Sequence, residues 1–299
     1  MNRLESMSVL VAVVEAGSLS AASRKLKMPL PTVSRKVSEL EAHVKARLLT
    51  RSTRKLTLTD AGHAYVAACK RILQDVAEAE RGASGEYSAP KGELTITAPL
   101  VFGRLHVLPV TAEFLKAYAE VDVRLVLADR TLSLLDEHLD LAVRIGELPD
   151  SSLIAIRVGE IRSVVCASPT YLAKHGTPKT PQDLARQDCV TFASLAGSGS
   201  WAFKSERAEQ SIPIHSRLVV NTAEAAMDAA IAGVGLTRVL SYQAASAVKA
   251  GTLAVVLKKF EPAAAPISLV YAGERLLPLK LRAFLDFAAP RLRARMQAL

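Results

Sequence analysis

Apolar positions recur at helical intervals through the first eighty residues, then give way to short alternating runs separated by turn residues. Leu4, Met7, Val11 and Val14 fall on one face of a first helix, with Asn2 and Glu5 at capping-box spacing and Gly17 as a stop. Ser18 caps a second helix whose Leu19, Ala22 and Leu26 face inward, and the small Ala21 and Ala22 let neighbouring helices approach. A third helix starts near Pro31, where a missing N–H costs little, and buries Val33, Val37, Leu40 and Val44. Two helices separated by a short break in this way have the form of a helix-turn-helix.

After the third helix, Leu56 and Leu58 alternate beside Arg51, Arg54 and Lys55, which predicts a small β-wing with a charged outer edge. Thr59 caps a long helix that begins Asp60-Ala-Gly and carries Tyr65, Ala68, Ile72, Val76 and Ala79 as a stripe. A stripe of five or six turns is longer than one compact winged domain needs. It predicts a coiled-coil-like dimer contact, with packing on its own domain as the other reading.

Charge sharpens this picture. Residues 1–74 carry 13 Lys/Arg against 5 Asp/Glu, a net of +8, while the whole chain of 299 residues carries +9. A basic end on a balanced body suggests a polyanion-binding module attached to a module with another job. On the third helix, Arg35 can reach guanine edges bidentately, and Thr32 and Ser34 can reach base edges or phosphates, with Lys36 and Glu39 flanking. Arg51, Arg54 and Lys55 on the wing would lie against phosphates, adding affinity and salt dependence but little sequence choice. The competing reading is a solvated basic face on a structural bundle.

Other chemistry is thinly represented. Cys69, Cys166 and Cys189 lie far apart without a CxxC, and the six histidines form no ligand-spaced group, so buried thiols and no metal or cofactor are expected. No apolar run reaches 18 residues and the first residues lack a signal-peptide pattern, so no membrane partner and a cytoplasmic location are expected.

These residues form a recognisable set. The chain resembles the LysR-type transcriptional regulators over essentially its whole length, through Val11–Ser18 with Glu15 and Gly17, Ser20-Ala-Ala, Pro31-x-Val-Ser-Arg35, Leu40-Glu41, Leu48-Leu49-x-Arg51 and Leu58-Thr59-x-Ala-Gly62. Six pieces in order and at the right spacing are specific where any one would not be. The resemblance places Ser20 with the DNA-contacting residues. Two positions depart from it: Pro29 and Leu30 stand where the family commonly has Ser-Gln. Loss of the serine removes a cap for the third helix, a cost of about 1 kcal/mol. Leu30 offers DNA only an apolar contact, such as to a thymine methyl.

The sequence 80–92, rich in Gly, Ser, Ala and Pro, reads as a hinge. Beyond it, strands at Leu94–Ala98, Val121–Leu127, Leu139–Ile145 and Val164–Ala167 alternate with helices at Leu105–Tyr118, Pro169–Lys174, Ala223–Ala232, Ser241–Ala250 and Pro278–Arg291. Alternation of this kind argues an α/β fold with mixed or parallel sheets. The resemblance makes this part a two-lobed effector domain like a periplasmic binding protein. The expected fold class is thus α+β multidomain: a winged helix-turn-helix over 1–59, a linker helix and hinge over 60–91, and an effector domain over 92–299. Within that domain, 92–163 and 268–299 form lobe I and 164–267 forms lobe II.

Cleft candidates follow from strand ends and helix starts. Pro99, Leu100 and Phe102 lead into a helix whose free N–H groups could hold a carboxylate. Arg144 and Gly146 lie at another strand end, Ser168 at a crossover, and Asn221 and Thr222 just before a helix. Structural alternatives stand beside them: Thr222 as a cap, and Arg144 paired with Asp140 or Asp129. Trp201, the sole tryptophan, is either a surface-loop anchor or a cleft wall.

The expected function is regulation of transcription through promoter or operator duplex DNA, modulated by a small-molecule effector. The resemblance implies homodimers or tetramers formed through the linker helix and effector domains, and admits RNA polymerase as a partner. A solute-binding protein would leave the basic helix-turn-helix unexplained. An enzyme would need a nucleophile elbow, a Walker-type loop or a paired-His motif, and none is present.

Overall fold

The computed structural model describes residues 2–51, 56–83, 89–134, 136–192, 199–204, 209–273 and 277–297. Two units divide at Ala89/Pro90.

In the first unit, α1 (Arg3–Ala16), α2 (Leu19–Leu26) and α3 (Leu30–Val44) pack around one core, followed by β1 (Leu49–Arg51), β2 (Leu56–Leu58) and α4 (Asp60–Ala83). The punctuation acts locally as chemistry requires. Asn2 accepts from the Glu5 N–H at 3.3 Å and Ser18 from the Ala21 N–H at 3.1 Å, while Gly17 ends α1 in the left-handed region at φ 71°. Only half of the expected capping box forms, because the Glu5 carboxylate is bound to Lys36. Helix α3 begins at Leu30, with Pro29 as its N-cap and no side-chain cap bond.

The buried face of α1 differs from the expected one. Ser6, Val9, Leu10, Ala12 and Val13 are inside, while Leu4 is 40% exposed and Met7, Val11 and Val14 are only partly buried. Six consecutive apolar residues from Val9 to Val14 leave periodicity unable to choose a face. Packing against α2, α3 and α4 makes the choice. Buried Ser6 is satisfied by the Asn2 carbonyl at 3.0 Å.

Helix α4 is likewise divided. Val66 and Cys69 are buried in the core of this unit with Tyr65 packed beside them, whereas Ile72, in the expected stripe, is 40% exposed. The first turns of α4 thus belong to the winged domain.

The second unit holds two five-stranded mixed sheets. One has the order β4 (Val121–Leu127), β3 (Gly92–Ala98), β5 (Leu141–Ile145), β14 (Ala265–Ala272), β6 (Leu153–Ile161). The other runs β11 (His215–Val220), β8 (Asp188–Phe192), β12 (Leu236–Leu240), β7 (Ser163–Ala167), β13 (Ala254–Val256). In each, four strands run in one direction and a single strand, β14 in the first and β7 in the second, runs against them. Lobe I is therefore completed by β14 and α10 (Leu279–Gln297), which return after the chain has built lobe II. A hairpin, β9 (Ser200–Lys204) and β10 (Glu209–Pro213), packs on the second sheet; Trp201 sits on it, 3% exposed in the lobe II core. It is neither a surface anchor nor a wall of the cleft.

The helix expected from Leu105 begins earlier. It runs through α5 (Leu100–Phe102), a π turn at Gly103–Val107 and α6 (Leu108–Ala117). Gly103 reads as a breaker in sequence, yet a Cβ there would overlap the Leu127 side chain, so close packing on β4 selects it. Strands β6 and β14 gave no period-two signal; β6 alternates irregularly and β14 is buried along most of its length. The remaining helices are α7 (Pro169–His175), α8 (Ala223–Ile231) and α9 (Ser241–Lys249).

Among the described residues no single helix is long and apolar enough to cross a membrane; the bent pair that passes by composition is α1 with α2, turned by 118°.

Candidate nucleic-acid interface and effector cleft

Helix α3 is held by Val33, Val37 and Leu40, each fully buried, which turns its other face outward. Arg35 stands on that face with 69% of its side chain exposed, 3.9 Å from Glu39. Thr32 and Ser34 are half-buried beside it, and Ser20 is exposed on α2. Lys36 differs: its side chain is 15% exposed and its Nζ lies 2.7 Å from Glu5. Its charge is spent inside the domain. Lys25 and Lys70 are similarly drawn to Glu15, at 3.1 and 3.3 Å, and together they hold the Glu15 carboxyl below the usual range. The wing is an antiparallel pair with Leu49 opposite Leu58. Arg51 belongs to β1 by its backbone; its side chain, and all of Arg54 and Lys55, lie outside the described residues.

Spacing rules did not single out Glu41 for any structural role. One of its carboxylate oxygens accepts from the backbone N–H groups of Leu48 and Leu49, at 2.7 and 3.1 Å. Opposite it, Thr59 donates to the Arg47 carbonyl at 2.7 Å and caps α4 by accepting from Gly62 at 2.9 Å.

In the second unit, the predicted cleft residues have mixed fates. The Leu100 N–H, expected to be free for a ligand carboxylate, already donates to Asp129 Oδ1 at 3.0 Å. Phe102 is fully buried, and Pro99 and Leu100 are half-buried at the mouth of the helix. Arg144 donates to the Leu132 carbonyl, and desolvation lowers its pKa; Gly146 adopts φ 115°. Ser168 is 3% exposed and caps α7 through Tyr171, and Thr222 caps α8 through Ala225. Asn221 is exposed.

Residues the sequence did not reveal join the lobes. Arg104 of lobe I lies 3.8 Å from Glu224 of lobe II. Tyr242, on α9 of lobe II, enters the lobe I core between Phe102 and His106, with ring centroids 5.5 Å from each. Burial and the nearby Asp129 and Glu224 carboxylates push the Tyr242 phenol up. His106, within the π turn, is 7% exposed with neither ring nitrogen hydrogen-bonded, and burial pushes its pKa down to about 4. No motif marks these residues, because their meeting depends on how two lobes close on each other. All three cysteines are buried and unbridged.

The fold and these surfaces define a winged helix-turn-helix protein with a two-lobed ligand-binding domain. The sequence matches the bacterial regulatory helix-turn-helix proteins of the lysR family over residues 4–63 and the LysR substrate-binding domain over residues 88–293. It is 32% identical to a probable HTH-type transcriptional regulator, LtrA, of Klebsiella pneumoniae over 96% of this chain and 94% of that protein. Among solved structures, the LysR-type regulator CrgA from Neisseria meningitidis is similar with a TM-score of 0.61 and 32% identity, over 96% of this chain and 98% of that one. The Vibrio cholerae virulence activator AphB gives a TM-score of 0.60 at 26% identity, covering 95% and 98%. The chain belongs to the LysR family: it is a DNA-binding transcriptional regulator with an effector-binding domain.

Proposed function

We propose that α3 reads a promoter or operator through Arg35, with Thr32, Ser34 and Ser20 contributing base-edge or phosphate contacts. The observation that carries this reading is the exposed Arg35 guanidinium on a helix whose opposite face is locked into the core. Arg51, Arg54 and Lys55 act as phosphate positioners, and Lys36 supports the fold through Glu5 more than it touches DNA. The DNA-binding part takes in the first turns of α4 to about Cys69, beyond the expected boundary at 59, the linker ends near 91, and the two lobes exchange near residues 163 and 267.

Homodimers form through the outer half of α4, where exposed Ile72 lies, and effector domains associate them into tetramers. A small molecule bound among Pro99, Leu100, Arg144, Gly146, Ser168, Asn221 and Thr222 shifts the lobes and so the spacing or bend of bound DNA. The protein works in the cytoplasm, with RNA polymerase as its downstream contact, and catalyses no reaction. A gel shift on the duplex upstream of its own coding region tests this: salt-dependent retardation is expected, and its absence overturns the reading.

A further inference from the structure

We infer that Glu41 is a positioning residue that sets the angle of the wing against the recognition helix. The segment 46–49 is where α3 ends and β1 begins, and a wing can follow phosphates only if this corner is rigid. Glu41 holds the corner from the helix side by accepting two consecutive backbone N–H groups, those of Leu48 and Leu49. The Thr59 N–H donates to the Leu48 carbonyl at 3.0 Å from the other side, and the Thr59 hydroxyl binds Arg47. Gly62 completes the enclosure, since a Cβ there would overlap the Leu48 carbonyl oxygen. A carboxylate is well suited here because one oxygen can accept both hydrogens without a change of rotamer.

Electrostatics alone makes the opposite prediction, which separates the two accounts. Removing a negative charge from a DNA-binding unit should strengthen attraction to phosphate. If Glu41 acts through the wing, Glu41→Ala should instead weaken it.

The inference rests on the reading that the wing meets phosphates, and a random-sequence duplex titrated with KCl against the full chain tests both. Wild type should bind with a steep salt slope. Glu41→Ala should lower affinity roughly 10- to 100-fold at about 0.1 M salt and flatten the slope by about one to two, the loss of one or two phosphate contacts. Glu41→Gln, whose amide oxygen can still accept both N–H groups, should retain the wild-type slope. Gly62→Ala, pressing on the Leu48 carbonyl at the same corner, should behave like Glu41→Ala. Circular dichroism confirms that each variant is folded, and a merely destabilised protein would lose active fraction without a change in slope. An unchanged or steeper slope in folded Glu41→Ala overturns the inference, as does an equal loss in Glu41→Gln. Failure of wild type to bind any duplex would instead overturn the wing reading itself.

Discussion

Arg35 and Lys36 are neighbours in sequence and opposites in use. Arg35 keeps its guanidinium in solvent, and its 3.9 Å approach to Glu39 is an exposed pair of little energy. Lys36 is drawn under the helix by Glu5. Arg35→Ala should therefore weaken specific duplex binding by about 1–3 kcal/mol while affecting random duplex much less. Competition of operator against random DNA measures this, and equal losses on both would remove Arg35 from base reading. His106 carries a different prediction. With a folded pKa of about 4 against an ordinary 6.5, it is neutral in the fold and charged in the unfolded chain through that interval. The unfolded state binds more protons there, so stability is fully present above pH 6.5 and falls as pH drops toward 4, by at most about 1.4 kcal/mol per unit. Denaturant titrations across that window should show the slope in wild type and a shallower one in His106→Phe. Arg35 was legible in the sequence because it belongs to a local motif; His106 was not, because part of its surroundings, Tyr242, comes from the other lobe.

At the level of elements, helix α3 starts with an unmet need. Pro29 supplies a fixed φ but no side-chain acceptor for the first N–H groups. Pro29→Ser should cap the helix and raise stability by about 1 kcal/mol, visible as a higher denaturation midpoint at unchanged slope. Caps of this kind were readable at Ser18, Thr59 and Thr222, each bonding the residue three positions on, whereas Ser168, read as a cleft residue at a crossover, caps α7 in the same way. Faces were less readable. Helix α1 is apolar nearly all round, and α4 turns Val66 and Cys69 inward while leaving Ile72 out. If the outer part of α4 is a dimer contact, Ile72→Glu should shift the sedimentation profile toward monomer without loss of helix content.

In the whole molecule, the two lobes are joined by contacts of unequal worth. The Arg104–Glu224 pair is solvent-accessible on both sides, so Arg104→Ala should change stability by no more than about 1 kcal/mol. Tyr242 is 4% exposed and stacked edge-on against Phe102, and Tyr242→Ala should cost about 3 kcal/mol or more. Chemical denaturation of both variants ranks the two contacts; the reverse order would mean that the ion pair, and not the aromatic insertion, holds lobe II to lobe I.

By itself the sequence determined the helix-turn-helix, the wing, the α/β body and the family, because caps, breakers and short motifs act over a few residues; the two lobes were implied by the resemblance. Tertiary structure alone decided which face of α1 is buried, that Lys36 is committed to Glu5, that Asp129 occupies the Leu100 N–H, and that Glu41 braces the wing. Each of these joins groups on different elements, where the energy depends on distance and desolvation in the folded state. Spacing along the sequence carries no record of either.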